Sequence, residues 1–219
     1  MSEIRRVAVY CGSRPGARAA YAFEAARLGT RLVQAGVELV FGGGKVGLMG
    51  VVADAVLEAG GEVVGVIPQA LVDREVGHMG LTELHVVRTM HERKAAMAEL
   101  ADAFVAMPGG LGTLEEIAEV LTWSQLGFHA KPCAFLDVES YYAPLVAWLD
   151  HAVLEGFVAA DRRAAVLLEP TADALADRLF GAEGQGGSGR GANAARGLEV
   201  APDGDPASRP NPSDLEGGC

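Results

Sequence analysis

"AFVAMPGGLGTLEEIAEVL", Ala103 to Leu121, runs from an unbroken apolar stretch through a Pro-Gly-Gly turn into a segment of helical length. A short Val-rich run without charge suits a strand buried on both faces, as in a parallel sheet. The same order recurs on either side of it. Further apolar runs are Arg6–Tyr10, Glu38–Phe41, Glu62–Ile67, Leu84–Val87, Cys133–Leu136 and Ala164–Leu168, and this one ends at Met107. Helical patterns fall at about Ala17–Gln34, Leu48–Ala59, His91–Leu100, Leu114–Gln125, Tyr142–Glu155 and Ala172–Phe180, with Gly36 a C-terminal stop for the first. Repeated β-α order implies right-handed crossovers and helices on both faces of one sheet. The fold class is therefore α/β, a doubly wound parallel sheet.

The chain has 219 residues, half of them hydrophobic, enough for a single substantial core. Residues 1–180 read as that domain. From Gly181 the composition turns to Gly, Pro, Ser, Asp and Ala without periodicity, so 181–219 reads as a disordered tail. A net charge of −11 argues against a broad nucleic-acid surface, though it leaves room for a locally built anion site. No apolar run approaches the roughly 20 residues that cross a bilayer, and the N-terminus lacks a secretory apolar region. Cys11, Cys133 and Cys219 are scattered, with no metal-ligand spacing, which points to a reduced cytoplasmic protein without structural zinc. Cys11 and Cys133 read as small core residues. His78, His85, His91, His129 and His151 show no ligand spacing, and Trp123 and Trp148 read as core or dimer packing.

Ligands of open α/β sheets bind beyond the carboxyl ends of the strands. Three glycine turns fall there: Cys11–Gly16, Phe41–Gly50 and the Pro-Gly-Gly turn itself. Helix N-termini at such turns favour phosphate. Gly42, Gly44 and Gly47 spell G-x-G-x-x-G, but after the second strand, and no acid follows the third strand to hold a ribose. Nor does a G-K-[ST] make it a P-loop. Gly42–Gly44 reads as a tight turn needing positive φ, a geometry that also leaves Gly43 and Gly44 able to bring backbone close to a ligand.

Two acids, Glu115 and Glu116, directly follow the third turn, although carboxylates repel phosphate. Thr113 to Glu116 fits a capping box, which is one explanation. The other starts from the cations Arg88, Arg93 and Lys94 at the start of the preceding helix, where they oppose its dipole. They form either a solvated basic face or a guanidinium site for phosphate or carboxylate. Together these suggest a two-ended ligand. Phosphate rests on Gly110, Gly112 and Thr113 near a cation, and a sugar reaches Glu115 and Glu116. Carboxylates beside a sugar suit glycosidic cleavage, where positive charge develops on the ring. Met90, Leu48 and Met49 read equally as pocket wall or core.

At these residues the chain resembles the "Lonely guy" (LOG) cytokinin riboside 5′-monophosphate phosphoribohydrolases, often labelled putative lysine decarboxylases. Pro108-Gly109-Gly110-Leu111-Gly112-Thr113-Leu114-Glu115-Glu116 matches the signature PGGxGTxxE, and Arg93-Lys94 matches the accompanying pair. "VYCGS" and "GGGKVGLMG" are also similar, and the likeness covers about Arg5 to Phe180. The resemblance implies a Rossmann-like fold, a homodimer, and no metal or organic cofactor. It implies hydrolysis of an N6-substituted AMP to free base and ribose 5-phosphate. Arg93 and Glu116 would be the catalytic pair. Ser13, Gly43, Gly44, Met90, Lys94, Gly109, Gly110, Gly112, Thr113 and Glu115 would contact the nucleotide. Competing readings are an AMP nucleosidase, a nucleotide or molybdenum-cofactor carrier without hydrolysis, and a pyridoxal-phosphate decarboxylase, for which only Lys45, Lys94 and Lys131 are available.

Overall fold

Every apolar run becomes a strand. The computed structural model describes residues 4–72 and 77–181. The strands are β1 (Arg6–Tyr10), β2 (Glu38–Phe41), β3 (Val63–Pro68), β4 (Glu83–Val87), β5 (Ala103–Ala106), β6 (Cys133–Leu136) and β7 (Val166–Glu169). They form one sheet in the order β4-β3-β2-β1-β5-β6-β7, and every pairing is parallel. The chain builds outward from β1 to β4 on one side, then crosses to β5 on the other. β1 and β5 are therefore neighbours, with Tyr10 opposite Ala106, and their carboxyl ends form the switch point of the sheet.

The helices are α1 (Ala19–Gln34), α2 (Gly47–Glu58), α3 (Gln69–Val72), α4 (Met90–Leu100), α5 (Leu111–Gln125), α6 (Ala143–Leu154), α7 (Ala160–Ala164) and α8 (Ala172–Phe180). Side chains alternate across the pleat and divide the core in two. Val7, Val9, Leu39, Phe41 and Val105 meet α1, α2 and α8 through residues such as Leu28, Val52 and Leu175. Ala8, Tyr10, Val40, Phe104 and Ala106 meet α4 and α5 through Met97, Ile117 and Val120. The doubly wound expectation holds.

Two details differ from the expectation. The short α3 and α7 were not anticipated, because helices of that length carry no measurable period. α5 begins at Leu111 with Gly110 as N-cap, so Thr113 lies inside the first turn and does not cap it. A run of three glycines before Thr113 lets the chain turn helical earlier than the capping pattern suggests. The expected tail, 181–219, is not among these differences, since all of it after Gly181 lies outside the described residues.

Candidate active site

The three glycine turns meet at the switch point because β1, β2 and β5 are adjacent. Backbone hydrogen bonds stitch them together. Leu48 N donates to the Gly12 carbonyl at 2.9 Å, and Gly12 N donates to the Pro108 carbonyl at 3.0 Å. Gly47 sits at φ +66, and a Cβ there would come within 2.6 Å of the Ser13 carbonyl oxygen. A side chain at 47 would force the second turn away from the first.

Above them opens a cleft of about 920 Å³. Ser13, Gly44, Met90, Arg93, Gly109, Gly110, Gly112, Thr113, Glu115 and Glu116 line it, as do Leu48 and Met49. Gly43 and Lys94 do not. Gly43 is buried, and its carbonyl accepts from His78 N at 2.8 Å. His91, Arg88 and Lys45 also lie off the cleft, and Arg88 makes an exposed ion pair with Glu92.

Arg93 and Glu116 face each other across the floor. Arg93 Nη2 stands 3.2 Å from Glu116 Oε1, with side-chain exposures of only 10% and 8%. Arg93 Nε donates to the Val66 carbonyl at 3.2 Å, and its Nη1 touches the Met90 sulfur at 3.8 Å. The guanidinium is thus fixed by β3 on one side and α5 on the other. Burial raises the Glu116 carboxyl above its ordinary range, and Arg93 pulls against that rise. Lys94 points elsewhere. Its buried ammonium pairs with Glu115 and, at 3.2 Å, with Glu119, which raises its own pKa.

Gly42 makes room for this arrangement. A Cβ on Gly42 would overlap Arg93 Nη2 and lie 2.9 Å from Cζ. Gly42→Ala should therefore displace the guanidinium and lower turnover by about 10²-fold, since misplacement on that scale costs that much. Turnover close to that of the unmodified chain would show that the guanidinium position is not critical.

The opening conflict between glycines and acids resolves in space. The first turn of α5 contains no acid, and its N-terminal amides are free of a side-chain cap. They suit an anion. Glu116 lies five residues further, roughly 7–8 Å along a helix rising 1.5 Å per residue. The acid and these uncapped amides are thus about a sugar's width apart. Thr113 is buried against Gly109, whose missing side chain leaves space for the hydroxyl. Sequence reasoning missed Tyr21, Arg14, Ile67, Leu71 and Tyr141 as lining residues. Tyr141 was within reach, since it follows the sixth apolar run at the carboxyl edge.

A family model described as "Possible lysine decarboxylase" matches residues 49–179. The chain is 51% identical over 178 residues to the cytokinin riboside 5′-monophosphate phosphoribohydrolase LOG of Oryza sativa subsp. japonica, covering 81% of this chain and 74% of that protein. It is 50% identical over 165 residues to the cytokinin riboside 5′-monophosphate phosphoribohydrolase of Rhodococcoides fascians, covering 75% and 83% respectively. Among solved structures, the molybdenum cofactor binding protein from Rippkaea orientalis aligns with a TM-score of 0.61 at 20% identity, over 82% of this chain and 97% of that one. That last likeness is one of fold.

The lysines do not fit a pyridoxal-phosphate decarboxylase. Among the described residues, no lysine lines the cleft. Lys94 is held by two glutamates, and Lys131 donates to the Ala98 carbonyl and sits over the Phe104 ring. Lys45 lies in the second glycine turn, but it is exposed and does not line the cleft.

Proposed function

The chain belongs to the family whose model is described as possible lysine decarboxylases and whose curated relatives are cytokinin riboside 5′-monophosphate phosphoribohydrolases, and from that membership we propose its reaction: hydrolysis of the N-glycosidic bond of N6-substituted adenosine 5′-monophosphates. The products are the free base and ribose 5-phosphate. The observation that carries this reading is the buried Arg93–Glu116 pair, with Glu116 five residues beyond the first residue of α5.

In this reading the 5′-phosphate sits on the N-terminal amides of α5, flanked by Ser13, Gly109, Gly110, Gly112 and Thr113. The ribose then reaches Glu115 and Glu116. As the C1′–N bond breaks, its electron pair leaves with the purine, which takes up a proton. The sugar becomes cation-like at C1′. Ionised Glu116 stabilises that centre, and it accepts a proton from the water that bonds to C1′. Arg93 orients Glu116 and keeps it ionised. Apolar Met90, Leu48, Met49, Ile67 and Leu71 suit an aliphatic N6 group. Cytoplasmic residence fits the free, buried thiols of Cys11 and Cys133. A homodimer would cover the exposed apolar side chains Leu126, Phe128, Trp148 and Phe157.

The direct test is base release. Purified protein is incubated with isopentenyladenosine 5′-monophosphate or AMP, and the products are separated by chromatography. Free base with ribose 5-phosphate is expected, faster from the N6-substituted nucleotide. Folded protein that releases no base from either would refute the proposal.

The pH profile is a second check. Only ionised Glu116 can act, and its folded pKa is raised by burial. Activity is therefore present above that pKa and lost as pH falls through it. The acid limb of kcat/KM should lie above the ordinary glutamate value of about 4.3. A limb at or below that value would remove Glu116 from the role of base.

A further inference from the structure

The Pro-Gly-Gly turn is held by more than its own sequence. Three successive carbonyls, those of Met107, Pro108 and Gly109, each accept a hydrogen bond from elsewhere. Tyr142 Oη donates to the Met107 carbonyl at 2.6 Å, and Gly12 N donates to the Pro108 carbonyl at 3.0 Å. The Tyr141 hydroxyl donates to the Gly109 carbonyl. Two adjacent tyrosines and one amide thus engage the whole turn.

The loop that delivers these tyrosines is unusual. Glu139 (φ 51) and Ser140 (φ 59) are both left-handed without being glycine. Such residues are strained and persist only where surrounding contacts over-determine them. Those contacts are present. Arg18 pairs with Glu139, Tyr142 N donates to Asp137 Oδ1 at 2.6 Å, and Asp137 N donates to the Glu169 carbonyl at 2.8 Å. Tyr141 packs edge-on against Tyr21 and Tyr142, at 5.8 and 5.0 Å between ring centres. Tyr142 is buried, which pushes its phenol well above the ordinary range and keeps it a donor.

An anion site made of backbone amides fails if a peptide flips, because a carbonyl then faces the anion. Gly109 and Gly110 are the residues best able to flip, having no Cβ. We propose that Tyr141 and Tyr142 clamp the Pro-Gly-Gly carbonyls away from the anion, with Tyr141 the positioning residue that keeps the Gly109–Gly110 peptide competent for phosphate. This rests on the phosphate assignment made above. Tyr141 is outside the signature motif and acts through the backbone. If the flipped state is populated, apparent affinity falls by the fraction lost.

Tyr141→Phe removes one hydroxyl and keeps the ring contacts. Loss of one hydrogen bond predicts about a 5–10-fold rise in the inhibition constant of ribose 5-phosphate, with a parallel rise in KM for the nucleotide. kcat should stay within about 2-fold, and the melting temperature within a few degrees. Arg18→Gln loosens the same loop from the surface and should shift both constants the same way, by about 2-fold. Unchanged constants in both variants would overturn the clamp, as would a fall in kcat with the inhibition constant unchanged. If ribose 5-phosphate fails to inhibit the unmodified chain, the phosphate assignment itself falls and takes the clamp with it. Inhibition of both proteins to the same degree would sink the clamp alone.

Discussion

Glu116→Gln is expected to abolish base release from isopentenyladenosine 5′-monophosphate, with kcat reduced by about 10²–10⁴, the range typical of a positioned acid or base. Glutamine keeps the size of the side chain and an oxygen able to accept from Arg93. It loses the negative charge and the ability to take a proton from water. The effect should be large because Glu116 is buried, and a charge is worth more where water does not screen it. Binding should survive. In the proposed function the anion sits on amides at the start of α5, five residues before Glu116, so ribose 5-phosphate should inhibit or bind the variant as it does the unmodified chain. The measurement pairs single-turnover rates with calorimetric binding of ribose 5-phosphate. Full turnover in the variant would refute the role of Glu116. Loss of binding along with turnover would mean that the substitution had damaged the cleft, which a melting curve would reveal.

Arg93→Ala should have a double effect. It removes the counter-charge of a carboxylate that burial already drives toward the neutral form. Glu116 then takes up a proton at higher pH, and at neutral pH a larger share of the enzyme lacks its base. Activity should fall by about 10² or more and recover in part as pH rises. Stability should fall as well, by about 3–5 kcal/mol, the usual cost of breaking a buried pair by removing one member. Arg93→Lys should rescue little. An ammonium on a narrower stem does not reproduce a fork that reaches both the Val66 carbonyl and Glu116. Denaturant unfolding of the single and double variants tests the cause. In the Glu116→Gln background no buried anion is left behind, so the stability cost of Arg93→Ala should shrink. Equal costs in both backgrounds would show that Arg93 contributes packing, not charge.

Much of the fold was legible because its signals are local. Unbroken apolar runs such as Val7–Tyr10 and Ala103–Ala106 need burial on both faces, and only a covered parallel sheet provides it. The glycine turns were legible for the same reason, since Gly47 needs a conformation that other residues avoid. The Arg93–Glu116 pair was reached through the motif resemblance, and its 3.2 Å geometry is a matter of tertiary structure. Local pattern misled at Thr113. The threonine and the glutamate three residues on fit a capping box, but the preceding glycines let α5 start at Leu111 and carried Thr113 into the helix.

From the sequence alone came the alternating architecture, the three glycine turns at strand ends, and the need for a ligand with an anionic end and a cation-like end. Tertiary structure decided which side chains line the cleft and which pair with one another. Arg93 and Lys94 are neighbours in sequence and read as one basic cluster. On a helix of 3.6 residues per turn, adjacent side chains diverge by about 100°. The rotation of α4 about its axis is set by Met97 and Ala98, buried against the sheet. That rotation sends Arg93 under Gly42 to Glu116 and sends the buried Lys94 in a different direction, to Glu115 and Glu119. The adjacency of β1 and β5, in which Val7 lies opposite Ala103, 96 residues later in the chain, is likewise a property of the sheet order, and it is what brings the three turns around one cleft.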